Sequence, residues 1–139
     1  MATIKSYSDL QQSKKLAEIL PIESADMEYL AIKETGKLVA DVPFVKDDSE
    51  VEDSAYSHTY DKIVCWSLTA LLGVLPNNEN ISTNLSKGGY RISTLEYTNS
   101  WFVDYEDETN GLNNCVTSAD NPVDACYEMI LKLNELKLL

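Results

Sequence analysis

Asp120-Asn121-Pro122-Val123-Asp124-Ala125-Cys126-Tyr127-Glu128-Met129-Ile130-Leu131-Lys132-Leu133, running on through Asn134-Glu135-Leu136-Lys137-Leu138-Leu139, reads as a helix with a marked start. Asn121 offers a capping side chain, and Pro122 suits the first helical position, whose N–H has no partner in any case. Asp124 lies where the helix dipole favours negative charge. Cys126, Met129, Ile130 and Leu133 recur at i, i+3, i+4 and i+7, so one face is apolar and needs a surface to cover. Beyond that stripe, Leu136, Leu138 and Leu139 exceed what one face requires, and a homodimer through this end is one expectation.

The surface the helix needs lies just upstream. Trp101, Val103 and Tyr105 alternate with Phe102 and Asp104, which gives a strand with one plainly apolar face. Tyr90–Tyr97 and Ser100–Glu106 are read as a hairpin joined through Thr98-Asn99, with a short third strand at Cys115–Thr117 completing a meander. Between them, Glu106–Asn114 reads as an acidic turn. Asn77–Gly89 is polar, rich in Asn and Ser, and is assigned to a loop.

Farther out, Leu68, Leu71, Leu72 and Leu75 recur at helical spacing before Pro76, with Val64, Cys65 and Val74 beside them, which predicts a central buried helix. Lys46–Ser57 crowds Asp47, Asp48, Glu50, Glu52 and Asp53 around Val51 and reads as a solvated acidic loop at about residues 46–57. Met27–Lys33 and Leu38–Val42 form a predicted hairpin turning at Glu34-Thr35-Gly36. The first helix is expected to start at Ser8, with Gln11 completing a capping box, to bury Leu10, Leu16, Ala17 and Leu20, and to stop at Pro21. The fold class is therefore α+β, three helices on antiparallel hairpins in the order α-β-β-α-β-β-(β)-α, in a single domain. The helices should cover one face of the sheet, with Leu16, Leu20, Leu68, Leu72, Trp66, Trp101, Val103, Cys126, Ile130 and Leu133 in the core.

A chain of 139 residues with 44% hydrophobic and 24% charged residues suits one soluble domain. Its 23 acids against 11 bases give a formal charge of -12. A field of that sign repels phosphate backbones and anionic bilayers, which argues against direct nucleic-acid or membrane binding and for a basic protein partner. No apolar run has signal-peptide or bilayer-spanning length, and Cys65, Cys115 and Cys126 form an odd set without a Cys-x-x-Cys pair. A reduced, cytoplasmic protein is the expectation.

Chemistry-bearing patterns are few. Cys65-Trp66 has the order found at a papain-type nucleophile, a cysteine at a helix amino terminus followed by tryptophan. That chemistry needs a histidine as proton acceptor, and the one histidine, His58, precedes the cysteine instead of following it. The plainer reading makes Cys65 and Trp66 the buried start of the second helix. Glu106–Thr117 imitates a calcium loop through Glu106, Glu108, Asn110 and Gly111, but its first position is not Asp and its twelfth, Thr117, is not Glu. Lys87-Gly88-Gly89 lacks the phosphate-loop pattern. No cofactor, metal or catalytic set is expected. The acids fall in two blocks, giving a candidate partner-binding patch of Asp47, Asp48, Glu50, Glu52, Asp53, Asp104, Glu106, Asp107 and Glu108. Such a patch could steer a basic partner, or occupy a nucleic-acid site by imitating phosphates. Simple solubility is the plainer account of the same charges.

Three segments carry a resemblance: Ser8 to Asp26, Cys65 to Leu72 (Cys-Trp-Ser-Leu-Thr-Ala-Leu-Leu), and Asn121 to Leu139. Together they resemble a family of small proteins encoded in gut Bacteroidetes and in their associated phages or mobile elements. The resemblance implies a setting and brings no activity, cofactor or catalytic residue with it. The expected function is a small non-catalytic accessory or interaction protein of phage or mobile-element origin. The alternatives are an acidic mimic that blocks a host DNA- or RNA-binding protein and, more remotely, a thiol enzyme built on Cys65.

Overall fold

The computed structural model describes residues 5–46, 59–78, 80–88, 90–91, 96–97, 100–108 and 115–139. The chain is α+β, as expected, and its described residues hold α1 (Leu10–Ile19), β1 (Met27–Ile32), β2 (Phe44–Val45), β3 (Tyr60–Cys65), α2 (Leu68–Val74), β4 (Ile81–Lys87), β5 (Tyr90–Arg91), β6 (Glu96–Tyr97), β7 (Trp101–Asp107), β8 (Cys115–Ala119) and α3 (Pro122–Glu135). They cluster into two compact units, Tyr7–Ala70 and Leu71–Leu139 with Met1–Ser6, whose boundary falls inside α2. No helix among the described residues is long and apolar enough to cross a membrane.

In the Tyr7–Ala70 unit, β1 is the middle strand of an antiparallel sheet in the order β2-β1-β3. Its central four residues, Glu28 to Ala31, are all buried, so both faces of β1 are covered. The predicted turn is present: Gly36 takes a positive φ of 72°, its N–H donates to Ile32 O at 2.7 Å, and Leu38 bridges to Ala31. A side chain would be disfavoured at that φ. The return strand is interrupted, however. After Val39 N–H donates to Leu30 O the chain swings away, and it rejoins β1 only at Phe44 and Val45, past Pro43. Strand β3 corrects the expectation that Cys65 and Trp66 begin a helix. Tyr60 to Cys65 pairs in full with β1, and the helix starts three residues after Cys65, at Leu68. Two exposed charges, Asp61 and Lys62, break the periodicity by which this strand could be read.

Helix α1 packs on β3. It starts one residue later than expected. Asp9 is the cap, accepting from the Gln12 N–H at 2.8 Å, while Gln12 Oε1 accepts from the Asp9 N–H at 3.1 Å. Both registers of Ser8-Asp9-Leu10-Gln11-Gln12 satisfy the capping-box spacing. Ser8 is instead drawn into bonds with Trp66 at the end of β3. The buried stripe is Ser13, Leu16 and Leu20, and Ala17 is exposed.

In the other unit the sheet order is β4-β7-β8, antiparallel throughout. The expected hairpin partner of β7 is corrected here. Ile81 to Lys87, assigned to a loop, pairs along its whole length with Trp101 to Asp107, whereas Tyr90–Arg91 pairs with Glu96–Tyr97 in a separate ladder. Asn and Ser have low strand propensity, which hid the alternation of Ile81, Thr83 and Leu85. β8 is present as predicted and runs on to Ala119.

Helix α3 lies on β7 and β8. Asn121 accepts from the Asp124 N–H at 2.8 Å, Pro122 opens the helix, and Cys126, Met129, Ile130 and Leu133 are wholly buried. It ends at Glu135 instead of continuing to Leu139. Lys137 adopts a left-handed φ of 58°, Lys137 N–H donates to Asn134 O and Leu138 N–H to Leu133 O. That bond pair is a Schellman stop, made here with a lysine where glycine is usual.

The expected core holds for Leu16, Leu20, Trp66, Val103, Cys126, Ile130 and Leu133. Leu68 and Trp101 are only half-buried, and Leu72 is 41% exposed. Helix α2 is therefore short and half-solvated: of its residues only Leu71 is buried, followed by Leu75 just beyond its end.

Candidate functional site

Cys65 ends β3 inside a buried polar cluster centred on Ser8. The Ser8 N–H donates to Trp66 O at 2.8 Å and the Trp66 N–H donates to Ser8 Oγ at 3.1 Å, so two backbone segments exchange bonds through one serine. The Ser8 carbonyl accepts from Tyr29 Oη at 2.9 Å and from Cys65 Sγ at 3.2 Å. Ser13 Oγ is 2.8 Å from Ser8 Oγ. Each polar group in this cluster has a partner, as burial demands. The indole Nε1 of Trp66 donates to Ser24 Oγ at 3.0 Å.

This environment decides the chemistry of Cys65. The thiol is 0% exposed, and burial pushes its pKa up, offset in part by hydrogen bonds from Ser8, Ser13 and Tyr29. Burial also pushes the Tyr29 hydroxyl up, with the Cys65 sulfur contributing in the same direction. A protonated, inaccessible thiol that donates to a carbonyl is a packing group and not a nucleophile. Cys126 is similar, with burial raising its pKa to about 12. His58 lies outside the described residues.

Past the cluster, Asp26 sets the start of α2. Its carboxylate accepts from the Ser67 N–H at 2.9 Å and from the Ser67 hydroxyl, and Ser67 Oγ in turn accepts from the Ala70 N–H at 3.2 Å. In the other unit, Asp124 receives Lys5 Nζ at 2.8 Å and Asn121 Nδ2 at 2.7 Å, which fastens the amino-terminal segment to the first turn of α3.

The acidic patch divides. Asp47, Asp48, Glu50, Glu52 and Asp53 lie outside the described residues. On β7, Asp104 and Glu106 share the solvent face with Phe102, whereas Asp107 follows Val103 and Tyr105 onto the covered face and is only 8% exposed. Glu108, just past the strand, is exposed. Sequence alternation alone places Asp107 on that face. The hydroxyl of buried Tyr105 makes no hydrogen bond of good geometry among the described residues, and burial followed by the Asp107 carboxylate raises the phenol's pKa. Among the described residues, no three His, Cys, Asp or Glu side chains converge as a metal site.

The feature that sequence reading missed is the edge of the β2-β1-β3 sheet. Val39, Val42, Phe44 and Val45 are all exposed, Val45 at 80%, as is Ile22, whose carbonyl accepts from Lys46 Nζ at 3.2 Å. Hydropathy alone read Leu38–Val42 as ordinary strand, and the break at Val39 and Pro43 carries no sequence mark of which way the side chains turn. Leu136, Leu138 and Leu139 form a second exposed apolar group past the stop of α3.

Fold and surface thus define a small acidic α+β protein with a buried thiol cluster and an apolar sheet edge open to solvent. No family model, no curated protein and no solved structure matches the chain.

Proposed function

We propose that this chain is a small, non-catalytic protein-interaction module that takes a basic protein partner in the cytoplasm. The phage or mobile-element setting follows from the resemblance of its end and middle segments. The observation that carries the reading is the set of exposed apolar residues Val39, Val42, Phe44 and Val45, within seven positions at and before β2, in a chain with charge -12. Large apolar side chains left in solvent along one short segment suit an interaction surface, and the negative field of the chain favours a cationic partner. Burial of Cys65 supports the same choice by removing the best nucleophile from access.

The tagged protein, purified from its host at rising salt, tests this. A partner that survives moderate salt with the wild type and is lost on replacing Val42 and Phe44 with Ser supports the reading. Identical capture by the double variant refutes it. The acidic-mimic reading draws on Asp104 and Glu106, displayed on the open face of β7. It expects a partner that dissociates steeply between low and moderate salt, because exposed charges are screened over a Debye length of about 8–10 Å.

A further inference from the structure

Resting on that reading, we infer that the partner is held as an extended cationic segment, added as a further strand alongside β2. Among the described residues, strand β2 is the edge of its sheet. Lys46 N–H donates inward to Asp26 O, and Val45 faces Met27 in the next pair of the antiparallel register. Inward and outward main-chain groups alternate along such a ladder, so the N–H and C=O of Val45 point away from β1. An exposed edge of this kind is a template for another strand. Pro43 has no N–H and so limits the pairing to the residues that follow it.

Two residues give few main-chain bonds, so side chains must supply the remaining affinity. Phe44 and Val45 point to opposite faces of the edge, and both are exposed. An added strand with alternating residues would meet apolar surface on each. Charge selects among occupants. Exposed Glu23 follows Ile22, whose carbonyl accepts from Lys46 Nζ, and exposed Asp41 lies three positions before Phe44, so near β2 in the chain two acids stand against the one cation of Lys46. A second copy of this chain would bring the same acids and the same overall charge of -12 against them. A lysine-bearing strand instead brings charge opposite in sign to the chain's net -12.

The test uses the full chain and a labelled eight-residue peptide of alternating Lys and Val, with two controls: Glu in place of Lys, and Pro in place of the central Val residues. Fluorescence anisotropy should show saturable binding of the Lys–Val peptide, with binding by both controls weaker by about tenfold or more. Amide hydrogen exchange at Val45 should slow when the peptide binds. On the protein, Val45→Pro removes the outward N–H and should bind about tenfold more weakly than Val45→Ala, which keeps that N–H while also losing the valine side chain, with the urea midpoints of the two variants alike. Equal binding of the Pro-interrupted peptide, or equal binding by Val45→Pro and Val45→Ala, overturns strand addition in favour of unspecific charge attraction. No binding of the Lys–Val peptide overturns it as well. A host partner still captured by Val45→Pro, but lost when Val42 and Phe44 are both replaced with Ser, leaves the interaction reading standing and sinks only the strand geometry.

Discussion

Each unit places a helix on a three-stranded antiparallel sheet, and the two attachments are chemically opposite. Helix α3 is fastened largely by apolar side chains: Met129, Ile130 and Leu133 are fully buried beside β7 and β8, and Thr117 Oγ1 donates to Ala125 O at 2.9 Å between sheet and helix. Helix α1 presents fewer apolar residues, and its junction with β3 runs through Ser8, Ser13, Tyr29, Cys65 and Trp66. Apolar packing is non-directional and scales with area. A buried hydrogen-bonded cluster contributes less net free energy but fixes one register, because any slip leaves donors unpaired. The Tyr7–Ala70 unit thus draws its definition from a point contact, and the other from an area.

Core truncation in α3 should have the largest effect. Ile130→Ala is expected to cost about 2–5 kcal/mol in urea unfolding, since it combines lost transfer energy with a cavity. A cost below that of a surface substitution would show that α3 is not fastened by area. Ser8→Ala should come next, at about 1–3 kcal/mol, by leaving the Trp66 N–H without its acceptor and the Ser13 hydroxyl with only its longer bond to the Ser8 carbonyl. If Ser8→Ala is neutral while Leu16→Ala is not, the polar cluster is incidental to the α1 junction.

Alkali should discriminate the wild type from a thiol-free α3. Cys126 keeps its proton in the folded chain to about pH 12, against an ordinary value of 9.0. Between those values the unfolded chain has released a proton that the folded chain still binds, so stability is complete below pH 9 and falls as pH rises through that window. The loss is on the order of 1 kcal/mol from pH 9 to 10. Cys126→Ala should flatten that slope relative to wild type, and an unchanged slope would assign the alkaline loss to other groups. Of similar size, Asn121→Ala should cost about 1 kcal/mol by uncapping α3. The smallest effect is a gain. Lys137→Gly should raise stability by about 0.5–1 kcal/mol by relieving a left-handed backbone at the helix stop, and a loss there would mean that the lysine side chain compensates for its own strain.

Legibility followed the same division as the attachments. Asn121, Pro122 and the Cys126–Leu133 stripe gave α3 directly, since capping and periodicity are local properties. β7 and β8 were legible for the same reason. β3 and β4 were not: Asp61-Lys62 and Ser82, Asn84, Ser86 blur their patterns, and only pairing with β1 and β7 makes them strands. Ser13 was legible in principle, because it occupies the stripe of Leu10, Leu16 and Leu20, but a serine on a weak stripe gives no signal of the partner awaiting it. The exposed apolar edge was least legible of all, since Phe44 and Val45 look like core in sequence.

By itself the sequence determined the α+β class, the acidic field, the turn at Gly36 and the two capped helices, all set by residue type at short range. Tertiary structure alone decided which of two equivalent serine-and-aspartate registers would cap α1. It did so because Ser8 has partners on Trp66, Tyr29 and Cys65 that lie 21 to 58 positions away. It also decided that the buried Cys65 would end a strand instead of opening a helix, and that Val45 would face solvent. Accessibility depends on what the rest of the chain brings alongside, and short-range pattern does not contain that information.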